Sequence, residues 1–307
     1  FSGLHVAAAA DGRELLRQMT VAMRTLDYQG SFSYQHAGRT DTMRVFHAGG
    51  ASERERLISL NGPRTEVIRD GLTITCIQPD GSATVYSSSS GRGLLPLVPS
   101  AGEGTLGEHY DVSVIGSDRV AGYTADIVDI SGRDPYRYGY RLWIDQGSRL
   151  LLRSIVTDSE RRPLEQLMFV SLEIGTPPRE TDLLPQVREI LATTVAPDTD
   201  VQLRRAPAWH AVGLPVGFAL ATARRQANGV KGSEHLVYTD GLASVSVYIE
   251  PRDADDAIVA ALAGRGTMNV YSVVGGKWRI TALGEVPART VEAIAQSMRS
   301  AEASATE

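Results

Sequence analysis

The apolar positions near the start of the chain predict one amphipathic helix. From Asp11 onward, apolar side chains recur every three or four residues and form a single stripe, which consists of Leu15, Leu16, Met19, Ala22, Met23 and Leu26. The Asp11 carboxylate can accept hydrogen bonds from free backbone N–H groups, and the Glu14 side chain can reach back to the backbone N–H of Asp11, as in a capping box. We therefore expect the helix to begin at Asp11.

From Tyr28 the apolar positions alternate, which is typical of strands. Tyr28, Gly30, Phe32 and Tyr34 share one face, and mostly polar side chains occupy the other. Turn-type residues separate the strands that follow, which we expect near 41–48, 54–60, 65–70, 72–78, 82–88, 109–115, 120–130, 137–145, 149–157 and 164–174. One helix followed by this series predicts a mainly β domain over 11–193, a large antiparallel sheet curled into an unclosed barrel.

The alternation stops after the barrel, where five prolines lie between 175 and 209. We expect a short helix within 182–194 and a linker at 194–209. Strands near 216–224, 232–239, 242–250, 266–274 and 277–284, with a closing helix over 287–301, then predict a smaller α+β domain at 210–307. Residues 1–10 resemble the tail of a secretory signal peptide, and a tag is the alternative.

Composition narrows the classes of function. The chain has 307 residues, 42% hydrophobic and 22% charged, which suits about two globular domains. Residues 1–200 carry 20 Lys and Arg against 26 Asp and Glu, and the remainder carries 11 against 10, so neither half is basic enough to predict nucleic-acid binding. The single cysteine, Cys76, excludes an intrachain disulfide and is expected to be a buried structural thiol.

No group of residues has the spacing of a catalytic or metal site. The segment 102–107 matches the bare Gly-x-Gly-x-x-Gly pattern, but prolines precede it and a predicted strand follows, so a loop is the better interpretation. The six histidines lack zinc-ligand spacing, and no Gly-x-Ser-x-Gly nucleophile motif occurs. We expect no enzymatic activity, no metal and no cofactor.

The apolar faces of the barrel strands suggest a lipid site. They are more extensive than one helix covers, so part of their surface is expected to line a groove for acyl chains, formed by Tyr34, Tyr140, Leu142, Met168 and Val170. Arg133, Arg137 and Arg141 could bind a phosphate group at the mouth of this groove. The alternatives are ordinary core packing beneath the helix and solvated arginines.

Two strands around a Thr-Asp-Gly turn, at 234–250, predict a surface for a protein partner. Aromatic residues on an exposed strand pair are common interface anchors, and an extended peptide can add to a sheet edge. We expect Tyr238, Asp240, Leu242 and Tyr248 to contribute, although Asp240 could serve the turn alone.

Several segments together resemble one family. These segments are Ala22 to Tyr34, Tyr138 to Asp145, Leu150 to Ser154, Leu164 to Gln166 with Phe169, Glu234 to Glu250, and Gly284 to Thr290. They resemble the RseB/MucB family of periplasmic proteins, and the resemblance spans essentially 11–298. Each segment alone is a weak signal, whereas the set is specific.

The resemblance implies a fold, a location and a function. It implies an N-terminal unclosed barrel similar to LolA and LolB that holds acyl chains, and a C-terminal domain that contacts the periplasmic part of an RseA/MucA-type anti-sigma factor. It further implies protection of that factor from regulated proteolysis, and release by lipopolysaccharide or another amphipathic lipid. Homo-oligomerisation is left open. The rival function is a periplasmic lipid or lipoprotein carrier, but a carrier needs only the first domain.

Overall fold

One large and one small sheet organise the chain. The computed structural model describes residues 2–50, 52–87, 93–96, 109–186, 192–195, 200–202, 206–226, 233–252 and 261–301. Twelve strands form the large sheet and seven form the small one, and a further two-stranded ribbon lies beside the small sheet. The expected class, mainly β with few helices and a smaller α+β unit after an unclosed barrel, is confirmed.

The large sheet forms the unclosed barrel of the N-terminal domain, which we call the half-barrel domain and which begins with helix α1. Its strands are β1 (Tyr28–His36), β2 (Arg39–Ala48), β3 (Arg54–Ser59), β4 (Glu66–Asp70), β5 (Thr73–Ile77), β6 (Ser82–Ser87), β7 (Tyr110–Val120), β8 (Tyr123–Gly132), β9 (Gly139–Asp145), β10 (Leu151–Thr157), β11 (Pro163–Ile174) and β12 (Ala192–Val195). Neighbouring strands are antiparallel except for β12, which pairs in parallel with β6. The order runs from β12 through β6 to β1, then from β11 down to β7, so β12 and β7 are the two edges.

Helix α1 (Ser2–Thr25) covers the concave face of this sheet and packs mainly on β7. Leu16, Met19 and Met23 of the predicted stripe are buried in one apolar core with the inward side chains of the strands. The expected start at Asp11 is wrong, because the helix already runs through Asp11 from Ser2. Alanine has the highest helix propensity, and the run of four alanines before Asp11 continues the helix rather than ending it.

The C-terminal domain is built on the small sheet. Its elements are β13 (Asp200–Gln202), β14 (Trp209–Ala211), β15 (Ala219–Gln226), β16 (Glu234–Thr239), β17 (Ser244–Pro251), β18 (Ala261–Arg265), β19 (Met268–Gly275), β20 (Trp278–Gly284), helix α2 (Ala288–Ser297) and β21 (Met298–Ser300). The small sheet has the order β13, β15, β16, β17, β20, β19, β18, and β14 pairs with β21. Helix α2 covers one face, where Val291 and Ile294 are fully buried against the sheet.

The segment between the two sheets differs from the prediction. A 3₁₀ turn, Glu180–Asp182, and the strand β12 lie in the described parts of 180–195, where a helix over 182–194 was expected. Residues 187–191 of that predicted helix fall outside the described residues. Pro185 disfavours a helix, and the β-branched run Thr193-Thr194-Val195 favours a strand. The predicted linker, 194–209, includes residues of both sheets, so the position of the domain boundary stays a prediction.

Candidate functional site

The two domains meet at one end of the half-barrel. The contacts come from the start of β7, the residues that lead into β9 and the start of β11. On the opposite side they come from the β16–β17 turn, the β18–β19 turn and the start of α2. This interdomain junction brings together several residues that the sequence singled out for lipid or partner binding.

The Arg137–Asp240 ion pair lies at the centre of the junction, and both side chains are fully buried. Arg137 Nη1 donates to Asp240 Oδ2 over 2.6 Å, and Tyr110 Oη donates to the same oxygen over 2.8 Å. The guanidinium also donates to Asp134 and to the Val216 carbonyl. Burial favours the neutral form, but the hydrogen bond to Asp134 and the charge of Asp240 raise the pKa of Arg137. Arg137 therefore remains charged inside the protein.

Aromatic rings enclose this pair and stabilise its charge. The Arg137 guanidinium carbon lies 5.4 Å from the ring centroid of Tyr110 and 5.4 Å from that of Phe218. Both distances suit a cation–π contact, which is stronger in a site that excludes water. Burial and then the negative charge of Asp240 raise the pKa of Tyr110, so its hydroxyl stays a hydrogen-bond donor.

The β16–β17 turn presents Asp240 to the half-barrel. Asp240 Oδ1 accepts from the backbone of Leu242 over 3.0 Å and from that of Ala243 over 2.8 Å, while Gly241 adopts a φ of +93°. That left-handed φ favours glycine. The next side chain, Leu242, is buried within the apolar core of the half-barrel. Asp240 thus both forms its own turn and joins the domains.

Glu165 makes a second junction contact. Its Oε2 accepts from Tyr34 Oη over 2.6 Å, and its Oε1 accepts from the Thr267 backbone N–H over 2.6 Å. Nearby, Asn269 Nδ2 donates to Tyr138 Oη over 3.1 Å. At the start of α2, Thr290 Oγ1 donates to the Tyr136 carbonyl over 2.7 Å. These contacts fix the C-terminal domain to the half-barrel at several separate points.

The predicted lipid residues do not share one face. Tyr140 and Leu142 are buried in the core beneath α1, and Tyr34 is half-buried at the junction. Met168 and Val170 belong to the opposite face, because the inward positions of β11 are 165, 167, 169 and 172. A bulge between Ser31 and Phe32 leaves Val170 unpaired and 63% exposed. Their assignment to the apolar groove is wrong, and the unbroken apolar run at 167–170 concealed which residues face inward.

The arginines that were expected at the mouth of a groove have other partners. Arg137 is buried in the junction, so the expectation that it accepts phosphate from solvent is wrong. Arg141 lies on the convex face, where it donates two hydrogen bonds of 3.0 Å to Asp129 Oδ1. It lines a cleft of about 200 Å³ that also includes Arg137 and Arg161 together with the acidic Asp129 and Asp158. Arg133 pairs with Asp111 at the surface.

Most of the predicted partner-binding residues are buried. Tyr238 is 2% exposed in the core of the C-terminal domain, and its hydroxyl accepts from the Ala211 backbone N–H over 3.2 Å. The expectation that Tyr238, Asp240 and Leu242 form an exposed surface is therefore wrong. Alternation placed Tyr238 and Asp240 on one face, but an aromatic ring with a polar tip suits a core as well as an interface.

Tyr248 is the predicted partner residue that faces outward. It is half-buried on the face of the small sheet opposite α2, where its ring stacks on His235 with centroids 4.2 Å apart. Neighbouring side chains on that face include Ser246 and Thr281, which are also half-buried. An aromatic side chain on the outer face of a sheet is a common anchor for a protein contact.

The sequence analysis did not identify Tyr110, Glu165 or Thr267 as junction residues. One signal for Glu165 was present in the sequence, because Glu165 alternates with Leu167 and Phe169 and therefore lies on the same inward face. A buried acidic side chain needs an ion-pair or hydrogen-bond partner. No comparable signal marks Thr267, since its contribution is a backbone N–H group.

Several chemical expectations concern other parts of the chain. Within the described ranges, no group of three His, Cys, Asp or Glu side chains could hold a metal ion. In the same ranges, no helix has the length and apolar character needed to cross a membrane. Cys76 is half-buried, not buried as expected, with its sulfur 3.9 Å from Tyr86 Oη. The glycine pattern at 102–107 falls outside the described residues.

The fold and the junction define a two-domain protein in which a small sheet domain is fixed to the end of an unclosed barrel. Two family models match the chain: the MucB/RseB N-terminal domain at residues 11–187 and the MucB/RseB C-terminal domain at residues 204–299. The chain belongs to the MucB/RseB family, which confirms the resemblance drawn from its motifs.

Named relatives match across both domains. The chain is 32% identical to the Sigma factor AlgU regulatory protein MucB of Pseudomonas aeruginosa, over 95% of this chain and 92% of that protein. It is 26% identical to the Sigma-E factor regulatory protein RseB of Escherichia coli K12, over 97% and 93% respectively. A crystal structure of MucB in complex with MucA(peri) is similar with a TM-score of 0.72 and 28% identity, covering 94% of this chain and 99% of that one.

Proposed function

We propose that this chain is a periplasmic protein that regulates a sigma factor. It does so by binding the periplasmic domain of a membrane anti-sigma factor of the MucA type. The observation that carries the proposal is the match of both domains to MucB, including a structure of MucB bound to MucA(peri). The buried polar contacts at the junction are consistent with a binding protein whose two domains act together.

The proposal includes protection of the partner from regulated proteolysis. A bound segment is shielded when it is held against a folded surface, because a protease needs an extended and accessible chain. The outward patch around Tyr248 supplies an aromatic anchor for such a contact. Tyr248 therefore remains the proposed centre of the partner surface after the other three predicted residues are assigned to the core and the junction.

We also propose that the half-barrel senses an amphipathic lipid such as lipopolysaccharide. The apolar core beneath α1 supports this role, because Tyr140, Leu142 and the helix side chains could separate around an acyl chain. A lipid can release the partner only if it prefers the free state of the protein to the bound state. Its effect must therefore be reciprocal, so that the partner weakens lipid binding by the same factor.

The test uses the full chain as bait in an envelope extract of the organism that encodes it. We expect recovery of a membrane protein related to MucA, followed by binding of its purified periplasmic domain and protection of that domain during protease digestion. Tyr248→Ala should weaken both effects, whereas Ser246→Ala on the same face is the matched control. Recovery of lipoproteins alone would support the carrier function instead.

A further inference from the structure

Glu165 is a buried carboxylate that touches both domains. It is 5% exposed at the start of β11, on the concave side of the large sheet with Leu167 and Phe169. A buried carboxylate needs hydrogen-bond donors to offset the loss of water. The two donors come from different domains, so the orientation of this side chain depends on both.

The donor from the half-barrel is Tyr34. The Tyr34 hydroxyl lies 2.6 Å from Glu165 Oε2, and its ring stacks on His36 with centroids 4.5 Å apart. Burial and the hydrogen bond to Glu165 raise the pKa of Tyr34, so the hydroxyl keeps its proton. Tyr34 also packs against the apolar core that the proposed lipid would enter.

The donor from the C-terminal domain is the backbone of the β18–β19 turn. The Thr267 N–H group lies 2.6 Å from Glu165 Oε1, and Thr267 is buried. Gly266 precedes it with a φ of +63°, and a Cβ atom at that position would lie 1.8 Å from the same oxygen. The left-handed φ favours glycine at this position, and the missing Cβ lets the carboxylate lie close to the turn.

We propose that Glu165 is a positioning residue that links the half-barrel interior at Tyr34 to the C-terminal domain at Thr267. A lipid that displaces the Tyr34 hydroxyl frees one oxygen of the carboxylate, and the carboxylate then holds the turn less firmly. This proposal rests on the proposed lipid response, and it identifies the residues through which lipid binding in the half-barrel would reach the C-terminal domain.

The link can be measured without any ligand through hydrogen exchange of the Thr267 amide in the full chain. Tyr34→Phe should lower the protection of this amide about tenfold, because the carboxylate loses one of the two bonds that orient it. Tyr123→Phe is the matched control. It removes another half-barrel hydroxyl, which donates to the Leu172 carbonyl over 3.1 Å and does not contact Glu165.

Two substitutions of Glu165 complete the series. Glu165→Ala removes the acceptor of Thr267 and should lower protection by more than Tyr34→Phe does. Glu165→Gln keeps an acceptor for Thr267 and a donor for the Tyr34 oxygen, so it should retain most of the protection. Amides of β9 should stay protected in each variant, which shows that the half-barrel remains folded. Equal protection of Thr267 in Tyr34→Phe and Tyr123→Phe overturns the proposal.

A lipid titration separates this proposal from the proposed function. Monomeric lauroyl lysophosphatidylcholine is added to the wild type and to Tyr34→Phe, and binding is followed by tryptophan fluorescence. We expect bound lipid to lower Thr267 protection in the wild type and to change it little in Tyr34→Phe. Lipid binding that leaves Thr267 protection unchanged overturns the link and preserves the lipid response. An absence of lipid binding overturns the lipid response, and the tyrosine comparison then still decides whether the link exists.

Discussion

Two buried arginine–carboxylate pairs use the same chemistry in different places. Arg56 donates to Glu66 over 2.7 and 3.1 Å within the half-barrel domain, where Arg56 also holds the Asp182 carbonyl. Arg137 donates to Asp240 across the interdomain junction. Both pairs exclude water. The Arg56–Glu66 pair holds the segment after β11 against the outer face of the large sheet. The Arg137–Asp240 pair instead joins two domains that have separate cores.

The largest expected effect comes from breaking each pair. Arg137→Ala should lower the free energy of unfolding by about 3–5 kcal/mol, because it removes the charged partner of the buried Asp240 carboxylate. Arg56→Ala should lower it by less, because Glu66 keeps a second ion pair with Arg64. The signatures should differ. Arg56→Ala should keep one cooperative transition in urea, and Arg137→Ala should separate the unfolding of the two domains into two transitions.

Arg133→Ala is the matched control for this comparison. Arg133 is close to Arg137 in the sequence, but its side chain is 52% exposed and pairs with an exposed Asp111. Exposed ion pairs contribute about 0–1 kcal/mol to stability, so Arg133→Ala should shift the urea unfolding curve little. A single unchanged transition in Arg137→Ala would contradict the role assigned to the junction pair.

Two tyrosines of the C-terminal domain sharpen the distinction between core and surface. Tyr238→Ala should lower the free energy of unfolding by roughly 3 kcal/mol, because it empties a buried site and removes the acceptor of the Ala211 amide. Tyr248→Ala should lower it by less than about 1 kcal/mol and weaken partner binding instead. Thermal unfolding and titration calorimetry measure the two effects. Equal losses of stability would remove Tyr248 from the proposed partner surface.

A smaller effect is expected from two neighbouring carboxylates whose pKa values shift in opposite directions. Burial opposes ionisation of Glu53, but hydrogen bonds from His47 and Arg69 prevail and lower its pKa from 4.5 to about 2. Burial raises the pKa of Glu55. Glu53 therefore adds stability above pH 4.5 that is lost as the pH falls toward 2. Glu55 favours the folded state more as the pH falls through its raised pKa.

Urea denaturation at pH 7 and pH 3 tests this balance. Glu53 should account for a loss of about 1–2 kcal/mol between these values, since solvent screens the partly exposed carboxylate. Glu53→Gln should remove that part of the pH dependence, and Glu55→Gln should make the fall in stability steeper. An identical pH dependence in Glu53→Gln and the wild type would argue against the role of the Glu53 contacts.

The strands of the half-barrel were predictable from the sequence because alternation is a local property. Strands β1 to β11 lie close to their predicted ranges, and the turn chemistry of Asp240 and Gly241 was also visible. Strands β12, β13, β14 and β21 are only three or four residues long and owe their existence to neighbours that are distant in the sequence. Short segments of this kind carry too few alternating positions to predict a strand.

The junction could not be predicted for a related reason. Alternation showed that Tyr238 and Asp240 share a face, but it cannot tell whether solvent, a partner or another domain covers that face. Arg137 was similarly ambiguous, because an arginine next to an apolar strand suits a surface as well as a buried pair. Only the position of the second domain distinguishes these roles.

The most direct test of the account is whether the junction holds the domains together without a covalent connection. A protease site is introduced between Val195 and Asp200, where the chain passes from one sheet to the other. Limited proteolysis of the wild type should also cut first within 194–208. After cleavage we expect the two fragments to elute together in size-exclusion chromatography, and to separate when Arg137→Ala is present. Immediate separation of the wild-type fragments would contradict the account.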